Sequence, residues 1–482
     1  MLILTHLATL YLISEWTIRL IMLLHVPQKR TPAAARTWLL IIFLLPWPGL
    51  IVYMLIGRPY LPEKRRRARE LASRQIIEIQ KRIGRHHVAT PELPANLAQA
   101  SSLAAHLGDF EPFSGNEVEL LDDYEGAIDR LIADIDAAVH HAHLLFYIVA
   151  PDCTGRRVCD ALIRAAKRGV NARLLVDGVG SKGFLKRMAA EVRSSGVEVI
   201  TLLPTGFFRQ NAARFDLRNH RKIAVIDGQI GYTGSQNIVD PEFVPGRPNE
   251  ELMMRITGPL VMQLQAVFLA DRFAETADSI LTPDLLPPPM LQAPAEGKPT
   301  GVTAQLLPSG PGYQHENGQE LIVALLHGAK ERVVIATPYF IPDEPLLQAM
   351  QSAVLRGVDV RLVVSEKSNQ LITEFAQQSF YDELLAAKIK VYRYRPRFLH
   401  AKHLSIDDRI CVIGTSNMDI RSFKLNAEVV AIFYDIDVTR RLRVIQERYF
   451  AGSVILAADE WARRPAWRRL IQNIARMADA LL

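Results

Sequence analysis

Two histidine–lysine pairs occur at matching positions in a long pattern that this chain contains twice. Each copy has a His-x-Lys triplet, an aspartate after four more residues, and a Gly-(Ser/Thr)-x-Asn segment after another six. The copies are His220, Lys222, Asp227, Gly234, Ser235 and Asn237, and then His400, Lys402, Asp407, Gly414, Thr415 and Asn417. The two histidines lie 180 positions apart. Because so long a pattern recurs with identical spacing, it indicates an internal repeat.

The residue types in this repeat suit chemistry at a phosphate. Residues 219–226 and 399–406 are predicted strands, and alternate residues of a strand share a face, so each histidine should point the same way as its lysine. Imidazole can attack phosphorus and can exchange a proton near neutral pH. Lysine, hydroxyl and amide groups can hold the phosphate oxygens as negative charge builds up. The sequence therefore predicts phosphoryl transfer by two histidines, with no metal and no cofactor.

The repeated residues resemble the two His-Lys-Asp motifs of the phospholipase D superfamily, and their flanks resemble its bacterial cardiolipin synthases. The closer likeness lies in Thr337–Asp343, Lys367–Gln370, Met418–Phe423 and Leu425–Val429. This resemblance implies two similar α/β halves packed about a pseudo-twofold axis, with the histidines across one cleft. It also implies phosphatidyl transfer between two phosphatidylglycerol molecules, giving cardiolipin and glycerol through a phosphatidyl-histidine.

The resemblance also implies roles for the repeated residues. His220 would be the nucleophile, and His400 would protonate the leaving alcohol and deprotonate the incoming one, although the sequence itself is symmetric on this point. The phosphate would be held by the two lysines and by four further residues, Ser235, Asn237, Thr415 and Asn417. Asp227 and Asp407 complete the motifs and are included with the catalytic residues. They follow the strands, so holding a turn is an equally good interpretation of their position.

A reactive imidazole needs a carboxylate on its other nitrogen to orient it. Glu428 stands in the apolar run Asn-Ala-Glu-Val-Val-Ala-Ile, where an unpaired acid would be costly, and it matches the family's acidic partner. Glu251 precedes an apolar segment in the first half and fits the same role, with Glu250 as the neighbouring alternative.

The repeat extends beyond the motifs and indicates the domain organisation. Arg168–Val176 and Arg356–Val364 share the pattern RGVxxRLxV, typical of a helix end that leads into a buried strand. Because strands alternate with helices, we expect mixed, largely parallel sheets with helices outside. The predicted divisions are a membrane anchor (1–58), a basic helical connector (59–112), a first half (113–280), a Pro-rich linker (281–300), a second half (301–458) and a basic amphipathic C-terminal helix (459–482).

The N-terminus predicts a membrane anchor made of a helical hairpin. Thr37–Ile56 is an uncharged run of twenty residues, long enough to span a bilayer, and Pro46 should kink it. Residues 2–24 are a weaker candidate because they contain Glu15 and Arg19. Since basic residues follow the second span, the positive-inside rule favours a cytoplasmic catalytic part at the bacterial inner membrane.

The net charge of +6 suits an anionic partner, either lipid or nucleic acid. Basic and aromatic residues precede each motif and would meet either ligand; they are Phe207, Phe208, Arg209, Arg214 and Arg218, then Tyr392, Arg393, Tyr394, Arg395 and Arg397. The membrane anchor and the flanking segments favour phospholipid, so no nucleic acid is expected. The alternatives are a hydrolytic phospholipase D, a nuclease of the same superfamily, and a non-catalytic membrane scaffold.

Overall fold

The computed structural model of the chain describes residues 2–30, 32–57, 61, 63–82, 86–204, 216–276 and 301–477. The predicted Pro-rich linker, residues 281–300, lies outside the described residues. So do Phe207, Phe208, Arg209 and Arg214, and the last five residues of the predicted C-terminal helix.

Three apolar helices begin the chain: α1 (Leu2–Lys29), α2 (Pro32–Leu44) and α3 (Pro46–Ile56). Within α1, the segment Thr5–Lys29 is long and apolar enough to cross a membrane, and it is the one such segment among the described residues. The predicted second span, residues 37–56, is divided between α2 and α3. Pro46 disfavours helical backbone at the residue before it, and Leu45 accordingly adopts φ −135° and ψ 79°.

The polar residues that weakened the prediction for α1 are paired with each other. Arg19 donates to Glu15 one helical turn away, at 3.3 Å. The three helices also share a small apolar core, in which the rings of Trp38 and Tyr53 meet edge to face at 5.2 Å. The structure therefore shows one helix of spanning length and a kinked apolar pair packed with it.

Two helices of the connector, α4 (Glu63–Arg82) and α5 (Ala100–Gly108), precede the first half. The first half contains β1 (Phe113–Leu121), α6 (Tyr124–Ala137), β2 (His141–Phe146), α7 (Cys153–Lys167), β3 (Asn171–Asp177), α8 (Lys182–Arg187), α9 (Ala189–Ser194), β4 (Glu198–Leu202), β5 (Arg218–Asn219), β6 (Lys222–Ile226), β7 (Ile230–Gly234), β8 (Asn249–Glu250), β9 (Met253–Thr257) and α10 (Leu260–Thr276).

The second half repeats this series. It contains β10 (Val302–Ser309), α11 (Asn317–Gly328), β11 (Arg332–Ala336), β12 (Phe340–Ile341), α12 (Glu344–Leu355), β13 (Asp359–Ser365), α13 (Leu371–Ser379), α14 (Tyr381–Ala386), β14 (Lys390–Tyr394), β15 (Phe398–Leu399), β16 (His403–Ile406), β17 (Ile410–Gly414), β18 (Met418–Asp419), α15 (Ile420–Lys424), β19 (Asn426–Phe433), α16 (Ile436–Ala451) and β20 (Ser453–Ile455). Two helices follow, α17 (Ala458–Ala462) and α18 (Ala466–Met477).

The two halves build one continuous sheet with the same strand order in each. The first half runs β1-β9-β7-β6-β2-β3-β4, and the second runs β10-β19-β17-β16-β11-β13-β14-β20. Strands β1 and β10 pair antiparallel and join the halves, so that corresponding strands lie on opposite sides of this central pair. This arrangement is the pseudo-twofold relation that the repeat implies.

The expectation of largely parallel sheets was wrong. The parallel pairs β2–β3–β4 and β11–β13–β14 follow helical crossovers, as the alternating pattern predicts. The motif strands instead form antiparallel hairpins, β6–β7 and β16–β17, and then pair antiparallel with β9 and β19. The turns after Ile226 and Ile406 are too tight for a parallel connection, which needs a crossover of a dozen or more residues.

The C-terminal helix α18 packs with its polar side inward. Gln472 is buried and donates to Gln378 of α13 at 3.0 Å, while Arg476 pairs with Glu383 of α14 at 2.6 Å. On its other side, Trp467 and Leu470 are more than half exposed. An apolar face left open beside a basic one is typical of a helix that lies in a membrane interface.

Candidate active site

Two short parallel ladders bring the motif histidines to the junction between the halves. In the first ladder, β5 of the first half pairs with β19 of the second, and the amide of His220 donates to the Ala427 carbonyl at 2.9 Å. In the second, β15 pairs with β8, and the amide of His400 donates to the Glu250 carbonyl at 2.8 Å. Each histidine is therefore tied to the half to which it does not belong.

The orienting carboxylates are exchanged between the halves. His220 Nδ1 lies 2.9 Å from the carboxylate of Glu428, and His400 Nδ1 lies 2.7 Å from that of Glu251. Because Nδ1–H donates to the carboxylate, Nε2 of each ring is left for a ligand. Both histidines line one cleft of about 440 Å³. The structure thus places the four predicted residues at one site, in cross-half pairs that the sequence had left open.

Hydroxyl groups hold the two carboxylates in place. Ser235 Oγ donates to Glu251 at 2.5 Å, and Thr415 Oγ1 donates to Glu428 at 2.5 Å. Both hydroxyls are fully buried, and neither lines the cleft. In this structure Ser235 and Thr415 position the acids that orient the histidines, and their predicted contact with phosphate stays a prediction.

Burial and charge set the protonation of the His–Glu pairs. Burial alone would raise the pKa of Glu251 and Glu428, but the facing histidines and the nearby lysines lower both below the usual value. Burial lowers the pKa of His220, and it lowers that of His400 to about 4, although the glutamates oppose both shifts. Before a phosphate binds, the site at neutral pH therefore holds ionised carboxylates and neutral imidazoles, the form in which an imidazole can act as a nucleophile.

Lys222 and Lys402 lie beneath the histidines as buried cations. Lys222 Nζ donates to the His220 carbonyl at 2.7 Å, and Lys402 Nζ donates to the His400 carbonyl. Burial lowers the pKa of Lys222 to about 8 and that of Lys402 to about 7, while Glu251 and Glu428 oppose the shifts. An anion bound above them would stabilise their charged forms.

Asn237 and Asn417 face the cleft from corresponding positions. The side-chain oxygen of Asn237 accepts from the Ile148 amide at 3.2 Å, which fixes the orientation of this side chain. Asn417 Oδ1 is buried and has no hydrogen-bond partner within the described part of the chain. Both amides are thus in position to contact a phosphate, as the motif predicts.

The structure does not place Asp227 and Asp407 in the cleft. Asp227 accepts three backbone hydrogen bonds of 2.7–2.8 Å from Val139, His140 and His141, at the far end of strand β6. Asp407 accepts three of 2.8–2.9 Å from the backbone of residues 330–332. Both aspartates have positive φ, 50° and 49°, which this residue type tolerates better than most. Their inclusion among the catalytic residues is corrected, since they hold the turns.

Several residues of the site were missed because their signal lies outside the two motifs. Ser422 Oγ donates to Glu428 at 3.0 Å, and Asn249 Nδ2 donates to Glu251 at 3.2 Å. The Tyr147 ring packs 4.8 Å from the His220 ring. An Asn-x-Glu repeat at 249–251 and 426–428 would have pointed to Asn249, whereas Tyr147 and Ser422 have no comparable signal.

The basic residues before the second motif lie away from the cleft. Arg393 and Arg395 pair with Glu366, and Arg397 lies 3.7 Å from Glu250. Arg218, which precedes the first motif, does line the cleft. Among the described residues, no group of three or more His, Cys, Asp or Glu side chains is placed to hold a metal ion.

Comparison with known proteins identifies the family. The model of the phospholipase D-like domain of cardiolipin synthase matches residues 131–272 and 322–449, and the model of the phospholipase D-nuclease N-terminal region matches residues 17–58. Cardiolipin synthase A of Pectobacterium carotovorum is 33% identical over 96% of this chain and 95% of its own length. Cardiolipin synthase A of Yersinia pseudotuberculosis is 34% identical over the same shares.

A solved structure shares the fold of the two halves. The crystal structure of phosphatidylserine synthase from Haemophilus influenzae superimposes with a TM-score of 0.60, covering 80% of this chain and 99% of that one at 15% identity. At this identity the likeness concerns the fold alone. The matched domains, the whole-length similarity and the fold agree, and the chain belongs to the cardiolipin synthase family of phospholipase D-like proteins.

Proposed function

We propose that this protein is a cardiolipin synthase that joins two phosphatidylglycerol molecules into cardiolipin and releases glycerol. The observation that carries the proposal is the pair of histidines in one cleft, each hydrogen-bonded to a carboxylate of the other half. Two equivalent imidazoles suit a reaction whose two steps are the same displacement run in opposite directions. The names of the whole-length relatives support cardiolipin as the product, and the family resemblance implies phosphatidylglycerol as the substrate.

The first step forms a covalent intermediate. Nε2 of one histidine attacks phosphorus of the first lipid, and the bond from phosphorus to the glycerol headgroup breaks. The second histidine, protonated when the anionic phosphate is bound, gives its proton to the departing alkoxide. The family resemblance assigns the nucleophile to His220 and the acid to His400. Lys222, Lys402, Asn237 and Asn417 would stabilise the phosphate oxygens during the displacement.

The second step reverses the first with a different alcohol. The terminal hydroxyl of a second phosphatidylglycerol gives its proton to His400, and its oxygen attacks phosphorus. The N–P bond breaks, cardiolipin forms, and both histidines are ready for another cycle. Glu428 and Glu251 would stabilise the positive imidazole that arises at each stage, since each accepts a hydrogen bond from Nδ1–H of its histidine.

The N-terminal helices fit a substrate that resides in a bilayer. Helix α1 is long enough to span a membrane, and we propose that α2 and α3 together provide a second, kinked crossing. The positive-inside rule then places the catalytic halves in the cytoplasm of a bacterial cell, at the inner membrane. The exposed apolar face of α18 would rest on the same surface.

Lipid analysis with purified protein in phosphatidylglycerol vesicles tests the proposal. We expect cardiolipin and free glycerol in equal amounts from the wild type, and a loss of at least ~10³-fold in His220→Ala and His400→Ala. His315→Ala is the matched control, because His315 is exposed and pairs only with a surface glutamate, Glu320. Mass spectrometry of lipids and an enzymatic glycerol assay give the two readouts.

Other outcomes would identify the alternatives. Phosphatidic acid without cardiolipin would indicate a hydrolytic phospholipase D. Cardiolipin formed only after phosphatidylethanolamine is added would change the partner lipid and leave the mechanism intact. Full activity in either histidine variant would contradict the two-histidine mechanism itself.

A further inference from the structure

Two rims of the catalytic cleft carry different side chains, and the internal repeat relates one residue of the first rim to one of the second. We call them the arginine rim, formed by Arg218 and Arg421, and the phenylalanine rim, formed by Phe398 and Phe243; all four residues line the cleft. Arg218 and Phe398 occupy corresponding positions, each two residues before its motif histidine. Each also pairs with an asparagine of the other half, Arg218 with Asn426 and Phe398 with Asn249.

The two guanidinium groups of the arginine rim are fixed in position. Arg218 is 4% exposed, and its Nη1 donates to the Asp177 carboxylate at 3.2 Å. Arg421 Nη2 donates to the Asp216 carbonyl at 2.9 Å. Both arginines line the same cleft as Tyr147, whose ring lies 4.8 Å from that of His220.

The catalytic layer contains its own charged groups, separate from this rim. Lys222 and Lys402 lie among two ionised glutamates, and the reacting phosphate would complete that group. One acid, Asp419, lines the cleft near Arg421, but it caps helix α15 through the Ser422 amide, and burial raises its pKa. Arg218 and Arg421 therefore bring further guanidinium groups to the cleft, apart from the lysines that would hold the reacting phosphate.

The proposed reaction brings a second phosphate into the cleft. In cardiolipin the two phosphates are separated by only one glycerol unit, so the acceptor's phosphate must lie close to the reacting one. Guanidinium groups recognise phosphate oxygens through pairs of charged hydrogen bonds. Phe398, which corresponds to Arg218, offers no such group, and the arginines that precede it, Arg395 and Arg397, line a neighbouring pocket rather than the cleft.

We propose that Arg218 and Arg421 form a second anion subsite, which binds the phosphodiester of the acceptor lipid while the first phosphate reacts between the histidines. This inference rests on the proposed function and names the acceptor site within it. The arginine rim would then favour a phospholipid alcohol over water or a neutral alcohol as the acceptor.

A competition between acceptors tests the subsite. Wild-type protein in phosphatidylglycerol vesicles with added ethanol should form both cardiolipin and phosphatidylethanol, and only the first product needs an acceptor phosphate. In Arg421→Gln we expect the ratio of cardiolipin to phosphatidylethanol to fall roughly 10- to 100-fold, as expected for the loss of hydrogen bonds to a charged group. Arg421→Lys should recover part of the ratio because it keeps the charge.

Two further variants complete the design. Arg440→Gln is the matched control, since Arg440 is a surface arginine whose side chain is 70% exposed, and its ratio should equal that of the wild type. Arg218→Lys keeps a cation beside the buried Asp177, so it should fold and still lower the ratio. Glutamine at position 218 would leave that carboxylate unpaired and is avoided.

The outcomes separate the subsite from the proposed function. Equal losses of both products in Arg421→Gln, or an unchanged ratio, would refute the subsite while leaving cardiolipin synthesis in place. Phosphatidylethanol without cardiolipin in the wild type would refute the proposed function and the subsite with it. A selective loss of cardiolipin, with recovery in Arg421→Lys, would establish the acceptor site.

Discussion

The two sides of the cleft, one around His220 and one around His400, have nearly identical contacts beneath the histidines and different side chains at the rims. Below, on each side of the cleft, a histidine and a hydroxyl group are both hydrogen-bonded to one carboxylate, and a buried lysine donates to the backbone carbonyl of the histidine. Above, Arg218 lines the cleft on one side, and Phe398 lies at the corresponding position on the other side. The comparison teaches that the repeat is preserved where both steps need the same chemistry. It has diverged where two different lipid molecules would have to be distinguished.

The largest effect should come from neutralising either orienting carboxylate. Glu428→Gln and Glu251→Gln keep the side-chain shape but remove the charge that fixes Nδ1–H and stabilises the imidazolium, so we expect kcat to fall roughly 10²- to 10⁴-fold in each. The rate of cardiolipin formation measures it, and Glu250→Gln is the control with a neighbouring acid. If the losses of kcat in the two variants differ by more than about tenfold, which corresponds to about 1.4 kcal/mol, the two sides of the cleft are not equivalent.

Because the lysines are buried, we expect activity to fall at alkaline pH. The pKa of Lys402 is lowered to about 7 and that of Lys222 to about 8, so both lose their charge as pH rises through this range. We expect kcat/KM to fall about tenfold per pH unit between pH 7 and pH 8, where Lys402 loses its proton, and up to about a hundredfold per unit above pH 8, where both lysines lose theirs. The profile of kcat should bend at higher pH, because bound phosphate raises both pKa values. A flat kcat/KM up to pH 10 would contradict charged lysines as phosphate ligands.

The turn aspartates should affect stability rather than catalysis. Asp227→Ala and Asp407→Ala each remove three backbone hydrogen bonds and place alanine at a positive φ, so each should lower the unfolding free energy by about 2 kcal/mol. Urea denaturation of the full chain in detergent measures this loss. Asparagine at either position should restore most of the stability. A large fall in kcat of the folded alanine variants would return these residues to the catalytic set.

The smallest effect should come from the buried hydroxyls. Ser235→Ala and Thr415→Val remove one hydrogen bond from each carboxylate, while other donors remain, so kcat should fall by roughly fivefold, equivalent to about 1 kcal/mol. Steady-state kinetics with phosphatidylglycerol measures it, and the two variants should match each other. If either variant raised KM far more than it lowered kcat, a direct phosphate contact would be indicated instead.

Much of the site could be predicted because local rules place its residues. Alternation along a strand predicted that His220 and Lys222 share a face, and the cost of an unpaired buried acid drew attention to Glu428. In the structure the predicted strand is interrupted between β5 and β6, and Lys222 lies below the cleft, where it donates to the His220 carbonyl. Ser235 and Thr415 were assigned to the phosphate because a hydroxyl suits either partner. Only the packing of neighbouring chain segments, which brings Glu251 to Ser235 and Glu428 to Thr415, shows what each hydroxyl contacts.

The sheet was predicted less well, for a related reason. The pattern of helices and strands gives the crossover strands β2, β3 and β4, but it does not state the direction of the strands inserted between them. The tight turn at Asp227 favours an antiparallel hairpin, and a closer use of that signal would have corrected the expectation of largely parallel sheets.

The sequence by itself determined the repeat, the two histidine–lysine motifs, the acidic residues near them and the apolar N-terminus, because each depends on residue type and spacing along the chain. Only the tertiary structure decided that His220 is oriented by Glu428 and His400 by Glu251. Those pairs join residues 208 and 149 positions apart, through ladders that exist only once the halves have packed. It also decided that Arg218 and Arg421, which come from different halves of the chain, line the same cleft.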